Sequence, residues 1–199
     1  MSEANPIIMV SSSVTQIEDI LDQIFGMLRG YGYTVWMSCK NTLPHDSSKS
    51  NLDNCLDAVQ NCDLFFGLIT PYYGRDRIVV DYSYTHLEQR KAIEINKKRW
   101  FLAHDRVIFA QKILEQYRFF KNGKPRKNFR FKKTEAMDDV RVINMYEEAA
   151  RLDLPPDQRT GNWVDEYING QGIRDYVNEI FADINSIRHQ VFVQPGVRS

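Results

Sequence analysis

The chain has 199 residues, enough for one domain or for a core with an appendage, and 43% of them are hydrophobic, so a substantial core can be buried. Its 26 basic and 26 acidic residues cancel, which removes any global electrostatic argument for nucleic acid or an anionic membrane surface. The three cysteines, Cys39, Cys55 and Cys62, form no Cys-x-x-Cys pair and no even framework, and no run reaches the roughly 18 apolar residues of a membrane span.

The first residues lack a basic region ahead of an apolar one, so no signal peptide is expected and the protein reads as cytoplasmic. Pro6 to Val10 is a continuous apolar run of the kind buried on both faces of a parallel sheet, and it leads into Ser11, Ser12 and Ser13. A helix follows near Thr15, where Thr15-x-x-Glu18 fits a capping box and Ile17, Ile20, Leu21, Ile24, Phe25 and Leu28 supply the apolar stripe. Tyr33 to Met37 reads as a second strand, Ser38 to Lys49 as a polar loop, and Ser50 to Gln60 as a second helix. The most hydrophobic strand is Asp63 to Ile69. A loop from Pro71 to Tyr82 then opens a third helix that runs to about Asn96. Arg99 to Ala103 is a fourth strand and Val107 to Phe119 a fourth helix. Strands alternating with helices imply crossover units and a parallel sheet.

From Arg118 to Lys133 the chain carries eight Lys or Arg and no acid, with Asn122-Gly123 placed for a tight hairpin turn. Residues 134 to 187 carry twelve acids against four bases, so the basic hairpin is expected to be solvated or to pack on its acidic neighbour. Glu135 to Leu152 reads as a helix ended by Pro155-Pro156, Asn162 to Tyr167 as a charged edge strand, and Gly172 to about Val191 as a closing helix. Residues 1–117 are therefore assigned to the α/β core, and residues 118–199 to a hairpin and helical extension completing the same domain.

The stretch Asp81 to Ala92 carries the chemistry. Ser83 and Thr85 can each cap the third helix, and Glu88 falls in its first turns, near the carboxyl edge of the strands where open α/β sheets bind ligands. Thr85-x-x-Glu88 equally fits a capping box, in which Glu88 only satisfies a backbone N–H. Ser11, Ser12 and Ser13 lie where hydroxyls can hold phosphate or ribose oxygens, or simply enter a helix. Trp36 can stack on a ring or pack in the core. Tyr72, Tyr73, Tyr82 and Tyr84 crowd the loop before Glu88 and suit a ring-binding cleft. The four histidines are scattered, without metal-ligand spacing, and no Gly-rich phosphate fingerprint occurs, so no metal and no bound cofactor are expected.

Four pieces occur in a recognisable order: Ile8-Met-Val-Ser-Ser-Ser13, Cys55 to Gly67, Tyr73-Gly74, and Ser83-x-Thr85-x-x-Glu88-x-x-x-Ala92. Together they resemble the TIR-like family of bacterial domains that opens on a strand and Ser-Ser-Thr, within the superfamily of TIR domains and nucleoside deoxyribosyltransferases. The resemblance covers roughly residues 6 to 105. It implies a flavodoxin-like (TIR-like) open parallel sheet flanked by helices, with Glu88 as the catalytic glutamate that attacks or stabilises a ribosyl C1′ and Ser83 as the serine that precedes it. Tyr84-Thr85 replaces the aromatic-cysteine pair common in TIR domains, and Ser13 stands where threonine is usual.

The activity implied is cleavage of the nicotinamide–ribose bond of NAD, the substrate, to an ADP-ribose-derived signal, cyclic or conjugated, in antiphage defence. Ser11, Ser12, Ser13, Trp36, Tyr73, Ser83 and Tyr84 are the expected binding residues. The alternatives are a nucleoside or nucleotide N-glycosidase or deoxyribosyltransferase on the same glutamate, and a non-catalytic interaction module. The expected partners are NAD or a related nucleotide and like domains in self-association, with no membrane and no nucleic acid.

Overall fold

A computed structural model describes residues 5–74, 78–79 and 81–192. Five strands, β1 (Ile7–Ser12), β2 (Thr34–Trp36), β3 (Leu64–Ile69), β6 (Arg99–His104) and β7 (Val164–Tyr167), form one parallel sheet in the order β2-β1-β3-β6-β7. Between β3 and β6 the chain forms a separate antiparallel pair, β4 (Ile78–Val79) and β5 (Tyr82–Ser83), where a plain loop is expected from the sequence. The helices are α1 (Glu18–Gly30), α2 (Asn51–Asn61), α3 (Tyr84–Glu94), α4 (Asp105–Arg118), α5 (Arg141–Ala149), α6 (Gly170–Phe181) and α7 (Ile184–Phe192). This is the flavodoxin-like α/β arrangement. Among the described residues no helix is long and apolar enough to cross a membrane.

The alternating side chains of the sheet make two cores. Ile8, Val10, Phe66, Leu68 and Leu102 meet Leu21, Ile24 and Leu28 of α1 and Ile173, Val177 and Phe181 of α6. Met9, Phe65, Ile69 and Phe101 face the other side, with Ala58, Val59, Ala92, Val107 and Ile143 from the remaining helices. All six residues of β3 are buried, as a central parallel strand covered on both faces requires. Gly67 is fixed by packing: a Cβ there would lie 2.6 Å from the Phe101 ring.

Four sequence expectations give way to tertiary contacts. The Thr15–Glu18 capping box does not form, because Gln16 takes a left-handed backbone (φ 65°) and α1 begins only after Ile17, which caps it without a side-chain bond. The helix expected from Glu135 starts at Arg141, since Asp138 is drawn to the 71–73 loop: its N–H donates to Pro71 O and its Oδ1 accepts the Tyr73 N–H. That helix ends before Pro155, where Arg151 turns left-handed (φ 53°). The single closing helix is two, because Asp183 Oδ1 accepts the N–H groups of Asn185 and Ser186 and starts α7 anew.

The extension from 118 onward belongs to the sheet: β7 pairs with β6, and α6 packs on α1. In the basic stretch Gly123 (φ 76°) makes the turn and Phe119 bridges Pro125, but no regular strand forms. Lys121, Lys124, Lys127 and Arg130 are exposed, whereas Arg118 is 9% exposed and forks onto Glu147 at 2.6 and 2.9 Å. Among the described residues, the ion pair from this stretch to the acidic segment is that of Arg118. Cys55 and Cys62 are buried and Cys39 is exposed, none of them in a disulfide, and burial pushes the Cys62 thiol up to about 11.

The start of α4 carries a pH-dependent cap. The Arg106 N–H donates to His104 Nδ1 at 3.2 Å and to Asp105 Oδ1 at 2.6 Å, Asp105 Oδ1 also contacts Nδ1, and burial holds the imidazole below its usual 6.5, with the Asp105 carboxylate offsetting only part. A folded-state value below the unfolded one means that this contribution is present above about pH 6.5 and is lost as pH falls through and below it. His104→Asn keeps a short acceptor that does not titrate. In urea unfolding from about pH 7.5 to pH 5, the wild-type midpoint should therefore fall relative to the Asn variant. A difference constant across that range would refute the cap assignment.

Candidate active site

The site lies at the carboxyl end of β1 and β3, where the connections leave for opposite faces of the sheet: α1 lies on the face of the Ile8–Leu28–Phe181 core and α3 on the other. Such a switch point opens a crevice between neighbouring strand ends. Ser11 sits in register with Gly67 of β3, so no second side chain crowds its hydroxyl from that strand. Its side chain shares a face with Met9, toward α3.

Glu88 reaches this point from the first half of α3. It is 5% exposed, and its Oε2 accepts the Ser11 Oγ–H at 2.5 Å across 77 residues of sequence. The cap of α3 is Ser83, whose Oγ accepts the His86 N–H at 3.3 Å. Glu88 therefore lies beyond the capping positions, and the Thr85–Glu88 capping box is overturned. A buried carboxylate bonded to a distant hydroxyl is held by tertiary structure, at a cost in desolvation that capping would not incur.

The loops after β1 and β3 are stitched together above the pair. Ser13 Oγ and Thr70 Oγ1 are 2.6 Å apart, and Tyr72 Oη donates to Gln16 Oε1 at 2.7 Å. Gly74 has φ 73° and lies against Ser13, 3.4 Å from where a Cβ would stand. Ser12 Oγ donates to the Ser13 carbonyl at 2.9 Å.

Tyr73 sits deeper than a cleft residue: it is 1% exposed, and its hydroxyl accepts the Ser83 N–H (3.2 Å) and bonds His86 Nδ1 at 2.7 Å. Burial raises that hydroxyl above its usual range, so it stays a neutral phenol and serves as donor to Nδ1. His86 Nε2 then donates to Glu148 Oε2 at 3.2 Å, Arg90 also pairs with Glu148, and Tyr82 and Tyr73 pack edge-on to the imidazole. Arg141 lies over the Tyr73 ring and donates to the Asp81 carbonyl.

The structure thus brings Ser11 to Glu88 and places Ser13 in the first loop, whereas Ser12 is the last residue of β1 and alternates to the opposite face from Ser11. Ser83 holds the helix start, with Tyr84 half-buried in the first turn of α3. Trp36 ends β2, half-buried against the Met9–Phe65 core, one strand away. Thr70, His86, Asp138, Arg141 and Glu148 complete the surroundings without a sequence signal. Their types are common, and only the fold places residues 138–148 against the 71–86 stretch.

Two cavities lie elsewhere. A groove of about 2070 Å³ runs between α3, α4, α5 and the basic hairpin, and a smaller one of about 740 Å³ lies between α4 and the hairpin. Neither is lined by Glu88 or Ser11: α3 turns Leu87, Arg90, Lys91 and Glu94 to the groove and Glu88 toward β1. Among the described residues no cluster of metal-ligating side chains occurs.

The strand order and the buried carboxylate at its switch point define a flavodoxin-like α/β protein with a candidate acid site. The chain belongs to the DUF4062 family, a domain of unknown function, whose model matches residues 7–155. That span takes in Ser11, Glu88 and Glu148. No curated protein matches. Among solved structures, the Clostridium botulinum CMP N-glycosidase BcmB aligns with 87% of this chain and 96% of its own, at 13% identity and a TM-score of 0.43. At that level the likeness assigns no chemistry to this chain.

Proposed function

We propose that this protein cleaves the N-glycosidic bond of a nucleoside or nucleotide, with Glu88 as the catalytic carboxylate. The observation that carries the reading is the Glu88–Ser11 pair, a buried carboxylate hydrogen-bonded at the strand ends where this sheet forms its crevice. Breaking the C1′–N bond sends its electron pair to the departing base and leaves oxocarbenium character at C1′. A nearby carboxylate stabilises that charge or bonds to C1′, and water then supplies the new C1′–O bond. In this reading Ser11 orients the carboxylate, and the Ser13 and Thr70 hydroxyls, 2.6 Å apart at the strand ends, are the candidates to hold sugar or phosphate oxygens. Because Glu88 is 5% exposed, a substrate sugar reaches it only when the groups around it give way.

NAD is the first dinucleotide to test. Its nicotinamide carries a positive charge and departs without protonation, and His86, two residues from Glu88, is already engaged by Tyr73 and Glu148. The TIR-like resemblance of residues 6 to 105 points the same way, toward an ADP-ribose product. The deciding experiment incubates the purified full chain with NAD, CMP, other nucleotides and nucleosides, and follows released base by mass spectrometry. Base release by wild type that Glu88→Gln loses supports the proposal. No release from any member of the panel, or release unchanged in Glu88→Gln, rejects it.

A further inference from the structure

The large hydrophobic side chains that stand exposed among the described residues are Phe109, Ile113, Tyr117, Phe120, Trp163 and Ile168. Three lie on α4, Phe120 opens the basic hairpin that follows it, and Trp163 and Ile168 flank β7. β7 is the last strand of the sheet, and α4 packs against it and on α5. The rings of His104 and Tyr167, 4.9 Å apart, join the start of α4 to the end of β7. Exposed apolar side chains scattered singly are ordinary, but these gather at one edge of the molecule, as they do at a contact surface.

Phe109, Ile113 and Tyr117 are 66%, 43% and 56% exposed and recur every four residues, so they form one row along α4. Packing within the chain does not use this row. Val107 and Ile108 face the core, and Gln111, Lys112 and Glu115 turn to the 2070 Å³ groove beside α5. A helix at the surface of a single chain needs one apolar stripe, and α4 carries a second. The two ends of the row differ in charge. At its carboxyl end Tyr117 shares the 740 Å³ cavity with Arg126 and Arg130, no acid lines that cavity, and Lys121, Lys124 and Lys127 of the same hairpin are exposed. At its amino end stand Asp105 and Glu166, with Arg106 between the acids and the row. Glu166 is exposed, lies opposite Ala103 in the sheet and alternates onto the α4 face with Val164.

Ile113 is the midpoint of the row, with Phe109 and Tyr117 about 6 Å of helix to either side. A twofold axis through Ile113 lays Phe109 of one copy on Tyr117 of the other. The same axis brings the basic hairpin of each copy to the acidic end of its neighbour, which is the self-complementarity an isologous interface requires. The net charge of zero adds no overall repulsion between copies. A nucleic acid matches only the basic end, because Asp105 and Glu166 repel its phosphates. We infer that this face of α4 is the interface of a twofold dimer, its occupant a second copy of this chain. Neither Glu88 nor Ser11 belongs to the face, so the inference stands independently of the reaction proposed above.

The test is the mass of the full chain in solution, by light scattering and sedimentation. At about 50 µM wild type should have twice the 23.3 kDa of one chain. Ile113→Asp places two carboxylates at the axis and should raise the dissociation constant by about 100-fold or more. Lys112→Asp puts the same charge on the groove flank of α4 and should dimerise as wild type. Both positions are exposed, and circular dichroism checks that both variants fold. In a Cys39→Ser background, which removes the exposed thiol, Ile113→Cys should cross-link two copies under a mild oxidant and Lys112→Cys should not. A monomeric wild type would overturn the inference and leave the face to a different partner. A dimer that Ile113→Asp leaves intact, or a cross-link through Lys112→Cys instead of Ile113→Cys, would overturn it as well.

Discussion

Glu88→Gln should lower base release by about 10³-fold or more while leaving Tm and circular dichroism close to wild type. Gln keeps the shape and can still accept the Ser11 hydroxyl bonded to Oε2. It cannot supply the negative charge that developing oxocarbenium character demands, and groups of this kind contribute about 10²–10⁴-fold. Ser11→Ala is the companion: it removes one donor to the carboxylate and should reduce turnover far less, since the charge remains. The order matters more than either value. If Ser11→Ala were the more damaging of two folded variants, Glu88 would be a structural partner of Ser11 rather than the catalytic group.

The second large effect is on stability. Arg118 is nearly buried at the end of α4 and holds Glu147 by two N–H bonds and Asn144 by a third. Removing one partner of such a pair leaves the other charge without compensation. Arg118→Ala should cost about 2–4 kcal/mol, or about 5–10 °C in Tm for a chain of this size. Arg118→Met/Glu147→Leu, which replaces the pair by apolar groups, should recover most of that loss. Lys124→Gln/Lys127→Gln should shift stability by only about 0.5 kcal/mol, because exposed charges are screened and solvated. A single Arg118 variant that melts with wild type would mean that the pair contributes nothing to holding the hairpin.

Much of this protein is determined by its sequence alone. The apolar runs of β1 and β3 and the stripes of α1 and α6 repeat at strand and helix periods, and local hydrophobic patterning is enough to place such elements. Glu88 too is legible, because a carboxylate just inside a helix that follows a buried strand falls near the strand ends whatever else the chain does. Other features were decided by contacts between distant residues. Thr85-x-x-Glu88 reads as a capping box until β1 brings Ser11 to the carboxylate from 77 residues away. Asp138 and Asp139 sit in a helical pattern, yet the Tyr73 N–H and the Arg141 guanidinium bind their carboxylates and hold the chain out of a helix until Arg141. Tyr73 looks like a cleft aromatic, but its hydroxyl is consumed by His86 and Ser83 inside the core. Polar side chains carry no periodic signal of their own. Their roles follow from which acceptor the fold places within about 3 Å, and that distance exists only once the sheet has assembled.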